Sequence, residues 1–303
     1  MNFETLTGKE FFALIPTGLE DNIRFRIDFH KLASQSKDLQ QWFLETCRDY
    51  LPVMFNALFW TLNPRKPPSE SLKPFILRPK QIFAVEKIDQ CIKIGKDVGI
   101  DKAREEGATE IVSKIYAAHS ILYKKRNFIV GSRTKKLVDT IGDDYTIFAK
   151  IDNAFEYLPS WMGLNVNNGS IYRKDMLLRV VPNSSTINGE TTNESFSAGS
   201  RGTSMLLDEF GRVDKYIADS IEGSIHDVTD CVIYNSTHWL GLNHTFNQVL
   251  HRPGLEIITF DWWENPDGKN QGLYTSNSPG EVELIDIEYY QKNYPELLKY
   301  AES

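Results

Sequence analysis

The stretch DVGIDKAREEGAT, residues 97–109, contains a short apolar strand, a turn with one glycine, and the start of a helix that we predict to continue to residue 123. A loop that binds phosphate needs backbone N–H groups directed into a concavity, a lysine for the phosphate charge, and a serine or threonine for the metal ion. Gly107 suits the tight turn, and the hydroxyl of Thr109 is placed to reach Mg²⁺. The stretch therefore predicts a nucleotide-binding strand–loop–helix unit.

The loop departs from the usual GxxxxGK[ST] pattern, because Ala108 stands where the lysine is expected. Lys102, at the other end of the loop, is the residue that we expect to fold across the phosphates instead. Taken alone, the stretch also fits an ordinary charged turn.

A second signal is MLLDE, residues 205–209, an apolar strand that ends in two carboxylates. In metal-assisted phosphoryl transfer, one carboxylate holds Mg²⁺ and another polarises the attacking water. We assign these roles to Asp208 and Glu209 respectively. Because the two residues end the same strand, we expect their side chains to point to opposite sides.

A third signal is Gln81, which opens a helix about twenty residues before the predicted loop. A glutamine amide is both a donor and an acceptor, so it can recognise the edge of an adenine ring. A surface glutamine is the simpler interpretation of this residue by itself.

Strands alternate with helices along most of the chain. Apolar runs predict strands at 97–101, 127–131, 176–181, 204–207 and 231–234, and helical spacing predicts helices at 20–62, 80–94, 109–123, 133–140 and 213–226. This alternation implies a three-layer α/β fold, a mostly parallel sheet covered by helices on both faces. We expect an N-terminal helical lid and linker at 1–73, a P-loop core at 74–280, and a C-terminal helix or linker at 281–303.

The bulk composition excludes several classes of protein. No apolar run approaches the ~20 residues of a membrane span, and the three cysteines show no spacing typical of a zinc site or a disulfide framework. The net charge of −7 argues against a chain coated with DNA-binding charge. It leaves room for a local basic patch, for which the candidates are Lys124, Lys125, Arg126, Arg133, Lys135 and Lys136.

The three signals, in this order, resemble the ATPase domain of the large terminases of tailed bacteriophages, over roughly residues 50–290. FWTLNPRKPPSESLKPFILRPKQ, residues 59–81, is similar to the family's entry segment, and DKAREEGAT to its deviant phosphate loop. RNFIVGSRTKKLVD, residues 126–139, resembles the strand and Ser-Arg turn that follow. SSTINGETTNESFSAGSRGTSMLLDEFGRVD, residues 184–214, resembles the segment around the acidic strand, and YNSTHWLGLNHTF, residues 234–246, resembles the coupling motif.

The resemblance implies an ASCE or RecA-like P-loop NTPase fold that binds ATP and Mg²⁺. It implies that Lys102 binds the β and γ phosphates, that Thr109 and Asp208 serve Mg²⁺, and that Glu209 is the catalytic carboxylate. Arg104 would be a phosphate or sensor arginine, and Arg201 an arginine finger for a neighbouring subunit, although Arg104 is an alternative for the finger as well. The remaining implied site residues bind the nucleotide (Gln81, Ala103, Glu105, Glu106, Gly107 and Ala108) or sense the hydrolysis state (Asn235, Ser236 and Thr237). His238 replaces the proline expected in the coupling motif.

By the same resemblance, the expected partners are double-stranded DNA, the portal protein and the small terminase subunit. The expected assembly is a homo-oligomeric ring on the portal and a monomer in isolation. The expected location is the host cytoplasm, with transient attachment to the procapsid. The chain stops at Ser303, before the nuclease domain with which the family normally continues. We interpret the segment that contains Asp261, Glu264 and Asp267 as a strand followed by a turn rather than as a nuclease site. We therefore expect this chain not to cleave DNA.

Two rival functions are compatible with the sequence. One is a helicase-like or other ASCE-type DNA-dependent ATPase with no role at a capsid. The other is a non-catalytic adaptor that binds DNA ends and has a decayed nucleotide site, as Ala108 would suggest.

Overall fold

A computed structural model describes residues 5–63, 65–196, 199, 201–239, 241, 243–264, 272–278 and 281–300. Its helices are Gly8–Leu14 (α1), Leu19–Ala33 (α2), Lys37–Asp49 (α3), Pro52–Ala57 (α4), Pro68–Ser71 (α5), Pro79–Ile94 (α6), Ala108–Leu122 (α7), Lys135–Val138 (α8), Ile147–Glu156 (α9), Lys215–Ser224 (α10), Thr245–Leu250 (α11) and Ile287–Asn293 (α12). Its strands are Trp60–Leu62 (β1), Leu72–Pro74 (β2), Val98–Lys102 (β3), Asn127–Ser132 (β4), Ile171–Lys174 (β5), Leu177–Val180 (β6), Ser185–Thr191 (β7), Ser204–Asp208 (β8), Val232–Ser236 (β9), Glu256–Phe260 (β10), Tyr274–Ser278 (β11) and Glu281–Leu284 (β12).

The central sheet of the described residues has eight strands in the order β10-β3-β9-β8-β4-β7-β6-β5. The neighbours from β3 to β7 run parallel, whereas β6 and β5 pair antiparallel at one edge. Strand β9 lies between β3 and β8. The predicted α/β class with a mostly parallel central sheet is confirmed.

Helices cover both faces of the sheet. On one face, Tyr116 of α7 stacks on Phe128 of β4 with ring centroids 4.3 Å apart, and its hydroxyl lies 2.8 Å from Ser204 Oγ. On the other face, Met205 and Leu207 of β8 pack in one core cluster with α10 and α11. Because successive residues of a strand point to opposite faces, β8 presents one side chain to each layer in turn. All five of its residues are buried, as expected for a strand with helices on both sides.

The N-terminal region differs from the long helical segment predicted at 20–62. It is divided among α2, α3 and α4, and its last residues form β1. Strand β1 pairs antiparallel with β2, with Trp60 opposite Pro74. The residues between β1 and β2, which fall in the region predicted as lid and linker, therefore connect the strands of a small hairpin and contain α5. Apolar spacing alone could not locate these breaks, because short helices and a strand can share one apolar spacing.

Polar side chains of α2 bind the carbonyl end of α4. Arg26 donates from Nη2 to the carbonyl oxygens of Phe55 and Asn56 at 3.0 and 2.9 Å, and His30 Nε2 lies 3.0 Å from the carbonyl oxygen of Ala57. The last carbonyls of a helix have no partner within the helix. These contacts supply that partner and fix α2 against α4.

The chain forms two compact units, and the predicted functional boundaries at 73 and 280 stay predictions. One unit comprises residues 1–101 and 107–258, and the other comprises residues 102–106 and 259–303. In the second unit, Ala103 N–H donates to the carbonyl oxygen of Phe260 at 2.8 Å, and β11 pairs antiparallel with β12. The terminal stretch was predicted as one helix. In the structure α12 ends at Asn293 and a 3₁₀ helix begins at Pro295, because proline disfavours helix in the residue before it. No helix within the described ranges is both long and apolar enough to cross a membrane.

His30 makes the stability of the first unit depend on pH. Its burial lowers its pKa to about 4, whereas an unfolded histidine has a pKa of ~6.5. Between these values the unfolded chain binds the proton and the folded chain does not, so stability present near pH 7 is lost as the pH falls towards 4. We expect the titration of His30 to lower the free energy of unfolding by up to ~3 kcal/mol. Denaturant unfolding at pH 7 and pH 5 would measure roughly 2 kcal/mol of this loss, because the titration is complete only below pH 4.

The control is His30→Gln, which keeps a donor for the carbonyl of Ala57 and removes the titration. Its unfolding free energy should fall less between pH 7 and pH 5 than that of the wild type. Equal losses for the two proteins would contradict the assignment.

Candidate nucleotide-binding site

Three polar side chains meet at the carboxyl ends of β8 and β9 and at the start of α7. Thr109 Oγ1 donates to Asp208 Oδ1 at 2.9 Å, and Asn235 Nδ2 donates to the same oxygen at 2.6 Å and to Thr109 Oγ1 at 3.1 Å. The register places Asp208 opposite Asn235 and Asn235 opposite Ile100 of β3. The parallel strands therefore bring together side chains that lie 99 and 27 residues from Asp208 in sequence.

The orientation of the Asn235 amide follows from its partners. Thr109 already donates to Asp208, so the nitrogen of Asn235 faces two acceptors, and its Oδ1 is left buried without a hydrogen-bond partner. Burying an acceptor without a hydrogen-bond partner costs free energy. Asn235 Oδ1 therefore marks a position where a donor such as a metal-bound water would fit.

The donor set of this cluster suits Mg²⁺. This ion prefers oxygen ligands and is usually held by one or two carboxylates together with substrate phosphates and water. Asp208 and Thr109 supply one carboxylate and one hydroxyl, 2.9 Å apart. Among the described residues, no group of three or more His, Cys, Asp or Glu side chains is placed to hold a metal ion, so the cluster does not resemble a site made of protein ligands alone.

Gly107 and Gln81 lie together at the start of α7. Gly107 has a φ of +79° and precedes the helix as its N-cap. A Cβ at this position would lie 3.3 Å from Gln81 Nε2. The other end of the Gln81 amide accepts the backbone N–H of Arg78 at 3.1 Å, which caps α6. Gln81 is therefore buried against the glycine of the predicted phosphate loop, and adenine recognition by this residue stays a prediction.

The rest of the predicted phosphate loop is short. Lys102 is the last residue of β3, and residues 103–107 connect it to α7, whose first residue is Ala108. Arg104 and Glu105 are exposed, whereas Glu106 is buried, and Glu105 has a φ of +67°. The predicted strand, glycine turn and helix are thus present in that order, and the phosphate contacts assigned to the loop stay predictions.

The backbone at Glu209 corrects one step of the sequence argument. Strand β8 ends at Asp208, and Glu209 has a φ of +55° and a ψ of +33°, which is the left-handed region. The alternation of side chains along a strand therefore does not apply to Glu209. Its carboxylate instead forms an ion pair with Arg212, whose Nε lies 3.0 Å from Glu209 Oε2.

The segment after β9 is tied to the end of β3. His238 Nε2 lies 3.0 Å from Asp101 Oδ2, and His238 Nδ1 contacts Asn247 Oδ1. Partial burial disfavours the charged ring, but the hydrogen bonds to Asp101 and Asn247 outweigh it and raise the pKa of His238. Both ring nitrogens face acceptors, the arrangement of a protonated imidazole. The residue that replaces proline in the coupling motif thus anchors this segment, in which Ser236 is buried and Thr237 is half-buried.

Other predicted residues lie away from this cluster. Arg201 precedes β8, and its carbonyl oxygen accepts a hydrogen bond from Asn127, the first residue of β4, so it lies at the amino edge of the sheet. Strand β4 also divides the basic candidates, with 124–126 before it and 133–136 after it. These six residues therefore do not form one patch.

The acidic residues near the C-terminus belong to the second unit. Asp261 follows the end of β10, and Glu264 ends a 3₁₀ turn. Asp267 lies outside the described residues. The strand of this segment therefore ends before the first of these acids, and the absence of nuclease activity stays a prediction.

Gly211, Arg212 and Trp239 make contacts around Glu209 that no motif of the sequence predicted. The available signal was the spacing of Glu209 and Arg212, because residues three apart meet within one helical turn. The contact of Arg212 with Trp239 had no such signal, since 27 residues separate the two in the chain.

No protein-family model and no curated protein sequence matches this chain. Solved structures with a similar arrangement include the large terminase of bacteriophage HK97, with a TM-score of 0.47 and 15% identity over 65% of this chain and 41% of that one. The large terminase of a thermophilic bacteriophage in complex with ADP has a TM-score of 0.44 and 13% identity over 60% of this chain and 44% of that one. The ATPase domain of the Thermus phage P74-26 large terminase has a TM-score of 0.41 and 14% identity, over 74% of this chain and 94% of that one.

The chain spans less than half the length of the HK97 protein and of the ADP-bound protein.

Gly107→Ala should destabilise the protein by about 1 kcal/mol, because its φ of +79° is unfavourable for alanine and its Cβ would press on Gln81. The matched control is Gly223→Ala in α10, where a Cβ would meet no atom within 4 Å. That change should stabilise the protein by ~0.5 kcal/mol, because alanine is the better helix former. Denaturant unfolding measures the free energy of unfolding of both variants. Changes of the same sign in the two variants would contradict the prediction.

Proposed function

We propose that this chain is an ATP hydrolase, the motor of a viral terminase that translocates double-stranded DNA into a procapsid. The observation that carries the enzymatic part is the hydrogen-bonded cluster of Thr109, Asp208 and Asn235 at the start of α7. A hydroxyl at a helix N-terminus beside a strand-end carboxylate is the combination that binds a metal–nucleotide complex.

In this proposal the residues of the cluster have separate tasks. Thr109 and Asp208 would hold Mg²⁺, which neutralises charge on the phosphates when it is bound. Asn235 keeps Asp208 Oδ1 and Thr109 Oγ1 in place through its two hydrogen bonds. Glu209, the next residue after Asp208, would orient the water that attacks the γ-phosphate, and Lys102 would supply the positive charge that Ala108 cannot.

Translocation of DNA rests on the resemblance of the sequence motifs to the terminase family. It gives Asn235, Ser236 and Thr237 the task of passing the hydrolysis state to the rest of the molecule. The proposed partners are double-stranded DNA, the portal protein and the small terminase subunit, and the proposed assembly is a ring. Because Arg201 lies at the amino edge of its own sheet, we propose that it acts on a neighbouring subunit, and Arg104 is the alternative finger.

Glu209→Gln should bind Mg²⁺–ATP at least as well as the wild type and should hydrolyse it at least ~100-fold more slowly. The reason is that loss of a water-orienting carboxylate slows the chemistry and spares ground-state binding. Asp208→Asn should instead weaken the Mg²⁺-dependent part of ATP binding. Nucleotide affinity with and without Mg²⁺, measured together with single-turnover hydrolysis, separates the two variants.

Hydrolysis at the wild-type rate by Glu209→Gln would show that the catalytic base is elsewhere. Absence of ATP turnover in the wild type, even with portal protein and DNA, would favour the non-catalytic adaptor. Turnover that responds to DNA but not to portal protein or procapsids would favour the helicase-like ATPase.

Lys102→Ala should abolish ATP binding or turnover, because a charged phosphate contact in a partly dry site contributes several kcal/mol. The control is Lys215→Ala, which removes an exposed lysine paired with Asp219 at 2.6 Å and should leave turnover unchanged. Normal ATPase activity of Lys102→Ala would remove this lysine from the site.

A further inference from the structure

Glu209 lies in the turn that follows β8, so the strand does not determine the direction of its side chain. Glu209 has a left-handed backbone, and the N–H of Arg212 donates to its carbonyl oxygen at 2.9 Å, which closes a single tight turn. A side chain within a strand is directed by the pleat, but a residue outside the strand is not. Other contacts must therefore set where this carboxylate points.

Arg212 makes such a contact. Its Nε lies 3.0 Å from Glu209 Oε2, and the two side chains are 18% and 29% exposed respectively. An ion pair shielded from solvent to this extent is screened less than one on an open surface. The contact is an ion pair rather than a hydrogen bond, because Arg212 Nε is buried without a hydrogen-bond partner among the described residues. The charge of the guanidinium therefore attracts the Glu209 carboxylate to this side of the turn.

Trp239 in turn fixes Arg212. The Arg212 guanidinium carbon lies 4.2 Å from the centroid of the Trp239 ring, the distance of a cation–π contact. Trp239 is 59% exposed, so burial in the core does not explain its place. A planar guanidinium can stack on an aromatic face and bind a carboxylate with its edge at the same time, which a lysine cannot do.

The turn also packs directly on the segment that carries Trp239. A Cβ at position 211 would lie 2.9 Å from both Ser236 Oγ and the Thr237 carbonyl oxygen, so only glycine permits this approach. Residues 236–239 therefore contact the turn at two points, through Gly211 and through Arg212. A displacement of this segment would be transmitted to Glu209.

We propose that Arg212 is a positioning residue for ATP hydrolysis, that it aims the Glu209 carboxylate, and that Trp239 holds Arg212 in place. The segment 236–239 then controls the geometry of the hydrolytic step through a stacked aromatic ring. This inference rests on the proposed role of Glu209, and it adds residues to which the sequence motifs assign no role.

The experiment measures single-turnover ATP hydrolysis and Mg²⁺–ATP affinity in variants of both residues. Arg212→Gln removes the charge, and Arg212→Lys keeps the charge without the planar group. Trp239→Leu removes the ring, and Trp239→Phe keeps one. Lys215→Gln, which breaks the exposed ion pair with Asp219 on α10, is the control for loss of a surface cation, and thermal melting checks that each variant is folded.

We expect Arg212→Gln to lower the hydrolysis rate at least about tenfold, because small displacements of a catalytic group cost up to ~100-fold. Its affinity for Mg²⁺–ATP should stay within about twofold of the wild type. Arg212→Lys should recover part of the rate, Trp239→Leu should lower the rate by a smaller factor than Arg212→Gln, and Trp239→Phe should be close to the wild type. In a Glu209→Gln background, Arg212→Gln should cause no further loss, since the two residues act as one unit.

Wild-type turnover of folded Arg212→Gln, or an equal loss in the Glu209→Gln background, would overturn the inference and leave the proposed function intact. If Arg212→Gln does not fold, Trp239→Leu decides the matter at an exposed position, and its wild-type turnover would overturn the inference. Absence of hydrolysis by the wild-type chain would overturn the proposed function itself, and the inference with it.

Discussion

The hydrogen bonds that Asp208 accepts from Thr109 and Asn235 are the interactions on which the candidate site depends. They join the end of β8, the end of β9 and the first turn of α7 within about 3 Å. This meeting is possible only because β9 stands between β3 and β8 and all three strands run in the same direction. A shift of β9 by one residue would turn Asn235 to the opposite face, and Asp208 would then lose its partner.

The packing of the sheet explains why the carboxyl ends of β8 and β9 have a well-defined position. Strands β8 and β9 are buried along their whole length, and α7 is held against β4 by the stacking of Tyr116 on Phe128. A site built on such elements has little freedom. The groups that would act on a substrate therefore differ in how they are held, because Asp208 belongs to a buried strand whereas Glu209 belongs to a turn supported by side chains. This difference makes the contacts around Glu209 the adjustable part of the site.

Much of the fold followed from the sequence, for physical reasons that apply to particular elements. The strands β3, β4, β8 and β9 were predicted within one or two residues, because buried parallel strands are continuous apolar runs with polar ends. The helices α6 and α7 were predicted equally well, since each is an apolar segment with a glycine at one end, Gly95 and Gly107. The N-terminal region was less predictable, because the hairpin of β1 and β2 depends on pairing across a proline-rich segment, which no local pattern encodes.

The sequence by itself determined the order of the functional parts: a strand, a glycine turn and a helix with Thr109, then an apolar strand ending in Asp208, then a polar segment beginning at Asn235. Local chemistry decides these features, because they depend on residue type and spacing along the chain. Only the tertiary structure decided that these three residues share hydrogen bonds, that Arg201 lies at the opposite edge of the sheet from Asp208, and that Glu209 leaves the strand to pair with Arg212 beneath Trp239. Such contacts depend on strand order and on the left-handed backbone of one residue, and neither can be read from neighbours in the sequence.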